Sequence, residues 1–84
     1  MKVYIVTHGF KNPRYTTTNG VYRGVFDTIE KAREYIELSV DADTKYFGST
    51  ITGEFTREDG AIFIEGVNRF EDQYFNYAIH KEEV

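Results

Sequence analysis

Residues 27–38, "DTIEKAREYIEL", constrain the fold more than any other stretch, because they carry apolar residues at helical spacing while most of the remaining chain is patterned at period two. Ile29, Ala32, Ile36 and Val40 form one apolar stripe, and Lys31, Glu34 and Glu37 fall on the outer face. Asp27 stands in a capping position, with Glu30 three residues on to complete a capping box, so the helix is expected to start at 27. The turn chemistry of "DADT" at 41–44 predicts its end near Val40.

The flanking runs read as strands. "KVYIVTH" at 2–8 is apolar on both alternating sets, as an interior strand or one beneath a helix must be. "VYRGVF" at 21–26 has the same character, with Gly24 marking a bulge or a close approach, and the two runs are expected to pair as an antiparallel hairpin. "KYFGSTITGEFT" at 45–56 sets Phe47, Ile51 and Phe55 against Thr50, Thr52, Glu54 and Thr56, the pattern of a half-buried strand. "REDG" at 57–60 is a hairpin turn, "AIFIEGV" at 61–67 returns, "NRFED" at 68–72 is a second turn, and "QYFNYAIHK" at 73–81 closes the series. Its Phe75, Tyr77 and Ile79 alternate with Tyr74, Asn76, Ala78 and His80.

An order of ββαβββ with one helix predicts an α+β fold, residues 1–84 forming a single domain in which the helix packs on a mainly antiparallel sheet of about five strands. The uncovered sheet face is then either solvated or covered by a partner, a second copy of the chain included. Tyrosines dominate the candidates for it, being amphipathic enough for either setting.

Composition narrows the chemistry. With 84 residues and no cysteine, disulfides and thiolate metal sites are excluded, and 17% aromatic residues give a small core large area per side chain. The start, "MKVYIVTHGF", lacks the apolar core of a targeting segment, and no window approaches the roughly 20 apolar residues of a membrane span, so a soluble, cytoplasmic protein is expected. Residues 1–40 carry six Lys/Arg and four Asp/Glu, and residues 41–84 carry four and ten. A net charge of −4 argues against direct binding to nucleic acid, which needs a basic surface to release counterions.

Catalytic signals are weak. No serine or threonine sits in a turn that would expose it as a nucleophile, and "GVYRG" and "GSTITG" lack the lysine and following helix of a phosphate loop. The acidic pairs Asp41/Asp43, Glu58/Asp59 and Glu71/Asp72 lack the ligand spacing of a calcium loop. His8 and His80 would meet only if their strands were adjacent and parallel; an antiparallel pairing sends them to opposite ends. A non-enzymatic protein without cofactor or metal is therefore expected.

One surface is nominated for binding. The stretch "GFKNPRYTTTNG" at 9–20 is long for a hairpin loop and combines the contact area of Phe10 and Tyr15 with the charges of Lys11 and Arg14. An acidic alternative consists of Asp59, Glu71 and Asp72.

"VYIVTHG" followed by "YRGVFDTIEKAREYIE", over roughly residues 2–37, resembles the start of many short uncharacterised bacteriophage proteins. The resemblance implies a setting, the cytoplasm of an infected bacterium, and in it an accessory protein that binds a host protein, such as a defence factor, and inhibits or redirects it. Two further readings stand beside it. One is an oligomer that sequesters a small anionic ligand such as a nucleotide through Arg14 and Arg23. The other is a minor structural component of the virion.

Overall fold

The structure, a computed structural model, describes residues 1–11, 21–67 and 74–84; of Phe10, Lys11 and residues 43–47 it describes the backbone. The elements are β1 (Lys2–Lys11), β2 (Val21–Phe26), α1 (Ile29–Phe47), β3 (Thr50–Thr56), β4 (Ile62–Val67) and β5 (Tyr74–Glu83). All pairings are antiparallel, and the strand order is β2-β1-β5-β4-β3. The α+β architecture and the ββαβββ order therefore follow the sequence reading. β1, apolar on both alternating sets, lies inside the sheet between β2 and β5.

The helix leaves the β2 edge and delivers the chain to the β3 edge. Its 19 residues span about 28 Å, enough to cross five strands spaced about 4.8 Å apart. The predicted stripe is the buried one: Ala32, Ile36 and Val40 pack with Val6 of β1, Ile64 of β4 and Tyr77 and Ile79 of β5. Tyr4, Phe26, Ile29, Tyr35, Ile62 and Phe75 surround this cluster. At the far side Arg33 Nη1 donates to Glu54 Oε1 at 2.6 Å and ties the helix to β3; this hydrogen bond raises the pKa of the Arg33 guanidinium.

Both helix ends differ from expectation. The cap is Thr28, one residue later than Asp27: its Oγ1 accepts the Lys31 N–H at 3.2 Å, so Glu30 sits in the first turn and closes no capping box with Asp27. Asp27 instead pairs with Lys31 Nζ at 2.9 Å, and that hydrogen bond lowers its carboxyl pKa. At the other end "DADT" continues the helix to Phe47, and Gly48, at φ 64°, ends it in the left-handed conformation that favours glycine.

β3 departs most from its predicted pattern. It begins at Thr50, since the helix takes residues 45–47, and all seven of its residues are exposed, as an edge strand without helix cover allows. A register shift between Ile51 and Gly53 makes Thr52 an extra residue and reverses the alternation, so Ile51 and Phe55 lie on opposite faces. A second shift, between Val6 and Thr7, puts a bulge in β2 beside Gly24, as that glycine suggested. The turn at 57–60 is as expected, with the Gly60 N–H donating to the Arg57 carbonyl at 2.9 Å.

Gly66 is a position where no side chain fits. A Cβ there would land on the Phe75 ring and on the Thr50 backbone carbonyl, and the latter cannot turn aside. Gly66→Ala is expected to destabilise the protein by about 1–3 kcal/mol or more, read as a lowered midpoint in urea unfolding. Thr28→Ala should cost about 1 kcal/mol in the same assay. The Asp27–Lys31 contribution, arising from a lowered carboxyl pKa, is present above the ordinary aspartate range and disappears as pH falls through the lowered value; Asp27→Asn should flatten that part of the acid unfolding curve.

Candidate functional site: the open face of the sheet

Because α1 covers one face, the alternation of each strand decides which residues remain outside. Tyr4, Val6 and His8 of β1 share the helix side with Tyr77 and Ile79 of β5, while Val3, Ile5 and Thr7 share the other with Ala78 and His80. One row crosses this open face through all five strands: Tyr22, Thr7, Ala78, Phe63 and Phe55. A neighbouring row joins Val25, Ile5 and His80. On the other side lie Gly9, Asn76, Glu65 and Gly53, followed by Tyr74, Val67 and Thr50.

The face is apolar and accessible. Tyr22 is 63% exposed, Val25 48%, Phe55 46% and Tyr74 49%, whereas Ala78 at the centre is flush with the backbone and buried. Val3, Ile5, Phe63 and Val67 are half-buried. Among the described residues the charges on this side are Glu65, Glu82 near one end and Arg57 in the β3–β4 turn. Apolar side chains from all five strands therefore adjoin on this open face.

One half of the face is a preformed aromatic ledge. Phe55 and Phe63 stack with ring centroids 5.2 Å apart and 6° between planes, and the Arg57 guanidinium lies 5.5 Å from the Phe63 centroid. His80 meets Phe63 edge-on at 6.2 Å, and its Nε2 is 3.2 Å from Thr7 Oγ1. These contacts hold the rings in place before anything binds. The other half, built from Val3, Ile5 and Val25, is aliphatic.

Those residues nominated from sequence that the structure describes are dispersed. His8 and His80 come from adjacent antiparallel strands and lie on opposite faces, so no two-histidine site forms. His8 stacks on Tyr77 at 4.4 Å, and Arg23 Nη2 lies 3.1 Å from His8 Nδ1. Arg14 and Tyr15 lie outside the described residues, as do Glu71 and Asp72. Phe10 and Lys11 belong to β1 by their backbone, opposite Phe75 and Tyr74, so the strand reaches further into the 9–20 stretch than expected. Asp59 serves the turn: its Oδ1 accepts the Ala61 N–H at 3.0 Å and its Oδ2 lies 3.6 Å from Arg57 Nη2. It precedes β4, whereas 68–73 follow that strand, so the two acidic stretches join opposite ends of β4. No group of three or more His, Asp or Glu suited to a metal ion occurs among the described residues, and no described helix is long and apolar enough to cross a membrane.

Sequence reasoning anticipated an uncovered face but expected tyrosine to dominate it. Phenylalanine and aliphatic residues do most of the covering, because the Thr52 bulge turns Phe55 outward. The signal available in advance was "TG" at 52–53, a threonine followed by glycine inside an otherwise alternating run.

An antiparallel sheet with one face under a helix and the other face open, with apolar side chains on it, defines a two-layer α+β domain. The chain belongs to the DUF7336 family, described as a domain of unknown function, whose model matches residues 1–84. No curated protein and no solved structure matches it.

If the ledge is held by the Thr7–His80 contact and the ring stack, removing Phe63 should loosen Phe55. Phe63→Ala is expected to cost about 3 kcal/mol and to broaden the Phe55 ring signals in NMR spectra, while Phe55→Ala, at the edge and half exposed, should cost less than about 1.5 kcal/mol.

Proposed function

We propose that this protein is a non-enzymatic binding domain and that its working surface is the open face of the sheet, which receives another protein surface. The observation that carries this reading is the continuous row Tyr22–Thr7–Ala78–Phe63–Phe55, with Val25 and Ile5 beside it, left in solvent by a helix that can cover only one side. Apolar area of this kind favours association through water release, and preordered rings reduce the entropy lost on binding.

The bacteriophage resemblance supports a setting in an infected bacterium, where inhibiting or redirecting a host protein would be the corresponding biological role. A small anionic ligand is less well supported. Arg23, one of the two arginines suggested for it, is engaged with His8, and Arg57, the open-face cation among the described residues, is engaged with Phe63 and Asp59.

The test is site-specific photo-crosslinking in bacterial cells expressing the full chain. A photoreactive phenylalanine analogue at position 55 should yield a protein adduct, whereas the same group at Leu38, an exposed position on α1, should not. Absence of an adduct at 55, or equal labelling at both positions, would overturn the open face as the working surface.

A further inference from the structure

The turn that joins β3 to β4 holds a pair of residues able to react with each other. We propose that the Asp59–Gly60 link is a site of spontaneous aspartate isomerisation, held in check by the contacts of its own turn. No enzyme or cofactor is needed, and the altered residue would stand beside the aromatic ledge.

Sequence singles out this pair. Of the five aspartates in the chain, Asp27, Asp41, Asp43, Asp59 and Asp72, only Asp59 is followed by glycine. A following Cβ crowds the amide nitrogen that must attack the carboxyl group, and glycine has none. At Gly60, with φ 90°, even an added Cβ would meet nothing within 4 Å, and the Asp59 side chain is 59% exposed. Both reacting groups are therefore open to solvent.

The chemistry balances with water alone. The Gly60 nitrogen attacks Cγ of the protonated Asp59 carboxyl group; an N–Cγ bond forms, a Cγ–O bond breaks, and that oxygen leaves as water with its own proton and the amide proton. Water then opens the resulting succinimide ring. Addition at Cγ restores aspartate. Addition at the main-chain carbonyl carbon of Asp59 gives isoaspartate, in which Cγ carries the main chain and the former carbonyl becomes a free carboxylate.

The groups that must react are occupied in the folded turn. The Gly60 N–H, whose proton is lost on ring closure, donates to the Arg57 carbonyl at 2.9 Å. Asp59 Oδ1 accepts the Ala61 N–H at 3.0 Å, and Oδ2 lies 3.6 Å from Arg57 Nη2. Arg57 is itself steadied, with its guanidinium 5.5 Å from the Phe63 centroid and its N–H donating to the Ala61 carbonyl at 2.8 Å. The turn must open before the ring can close, and two hydrogen bonds of ordinary strength slow the reaction roughly tenfold relative to the unfolded chain. Once formed, isoaspartate lengthens the main chain of the turn by a methylene, removes the oxygen that meets the Ala61 N–H and displaces the carboxylate that faces Arg57.

Incubation of the full chain in heavy-oxygen water at neutral pH, followed by tryptic digestion in ordinary water and mass spectrometry, tests the proposal. Each ring opening leaves one heavy oxygen at residue 59, and electron-transfer fragmentation separates isoaspartate from aspartate. Asn19, also followed by glycine and on a different tryptic peptide, verifies labelling in chain unfolded by guanidinium chloride. The unfolded chain is expected to gain label and isoaspartate at residue 59, and the folded chain to do so roughly tenfold more slowly. Arg57→Ala, with the circular dichroism of the fold kept, should fall between the two, and Asp59→Glu, which would need a larger ring, should gain no label there. An unfolded chain labelled at Asn19 but not at Asp59, or equal rates at Asp59 in the folded and unfolded chain, would overturn the proposal. A rate in Arg57→Ala equal to that of wild type would overturn the share assigned to Arg57.

Discussion

Everything in this fold depends on one helix that must carry the chain from one edge of a five-stranded sheet to the other. Packing Ala32, Ile36 and Val40 against Val6, Ile64, Tyr77 and Ile79 fixes where it crosses, and the Arg33–Glu54 ion pair ties it to the far edge. The helix is long enough for this and cannot at the same time shield the opposite side. A one-sided core and an open second face are two results of the same geometry.

The open face is therefore a structural consequence, and its chemistry makes it a functional candidate. Had its alternating positions been charged, it would be a solvated sheet surface of the ordinary antiparallel kind. They include instead Val3, Ile5, Val25, Phe55, Phe63 and Val67, with Ala78 at the centre and Glu65 and Glu82 as the described carboxylates on the strands. Register shifts put a bulge in each outer strand, at Arg23 in β2 and at Thr52 in β3, and bulges of this kind blunt exposed sheet edges.

Much of the architecture was legible in the residues. The helical stripe, the first hairpin, the turn at Gly60 and the faces of β5 all follow local spacing, and the structure places them accordingly. The helix boundaries were misjudged for a local reason: Thr28 competes with Asp27 as a cap, and "DADT" is compatible with helix when a glycine capable of ending it lies further on, at 48. The candidate site was legible only as a general expectation of an uncovered face. The histidines that drew attention by chemical type proved to lie on opposite faces, with Arg23 beside His8.

The sequence by itself determined the elements, the single helix, the absence of cysteine chemistry and the two-sided apolar character of β1, because these rest on contacts between residues close in the chain and on composition. Only the tertiary structure decided that β5 is central, that β3 is an edge, and that Phe55 faces outward. Strand order and bulges arise from pairings between distant segments, and a shift of one residue in such a pairing moves every following side chain to the other face.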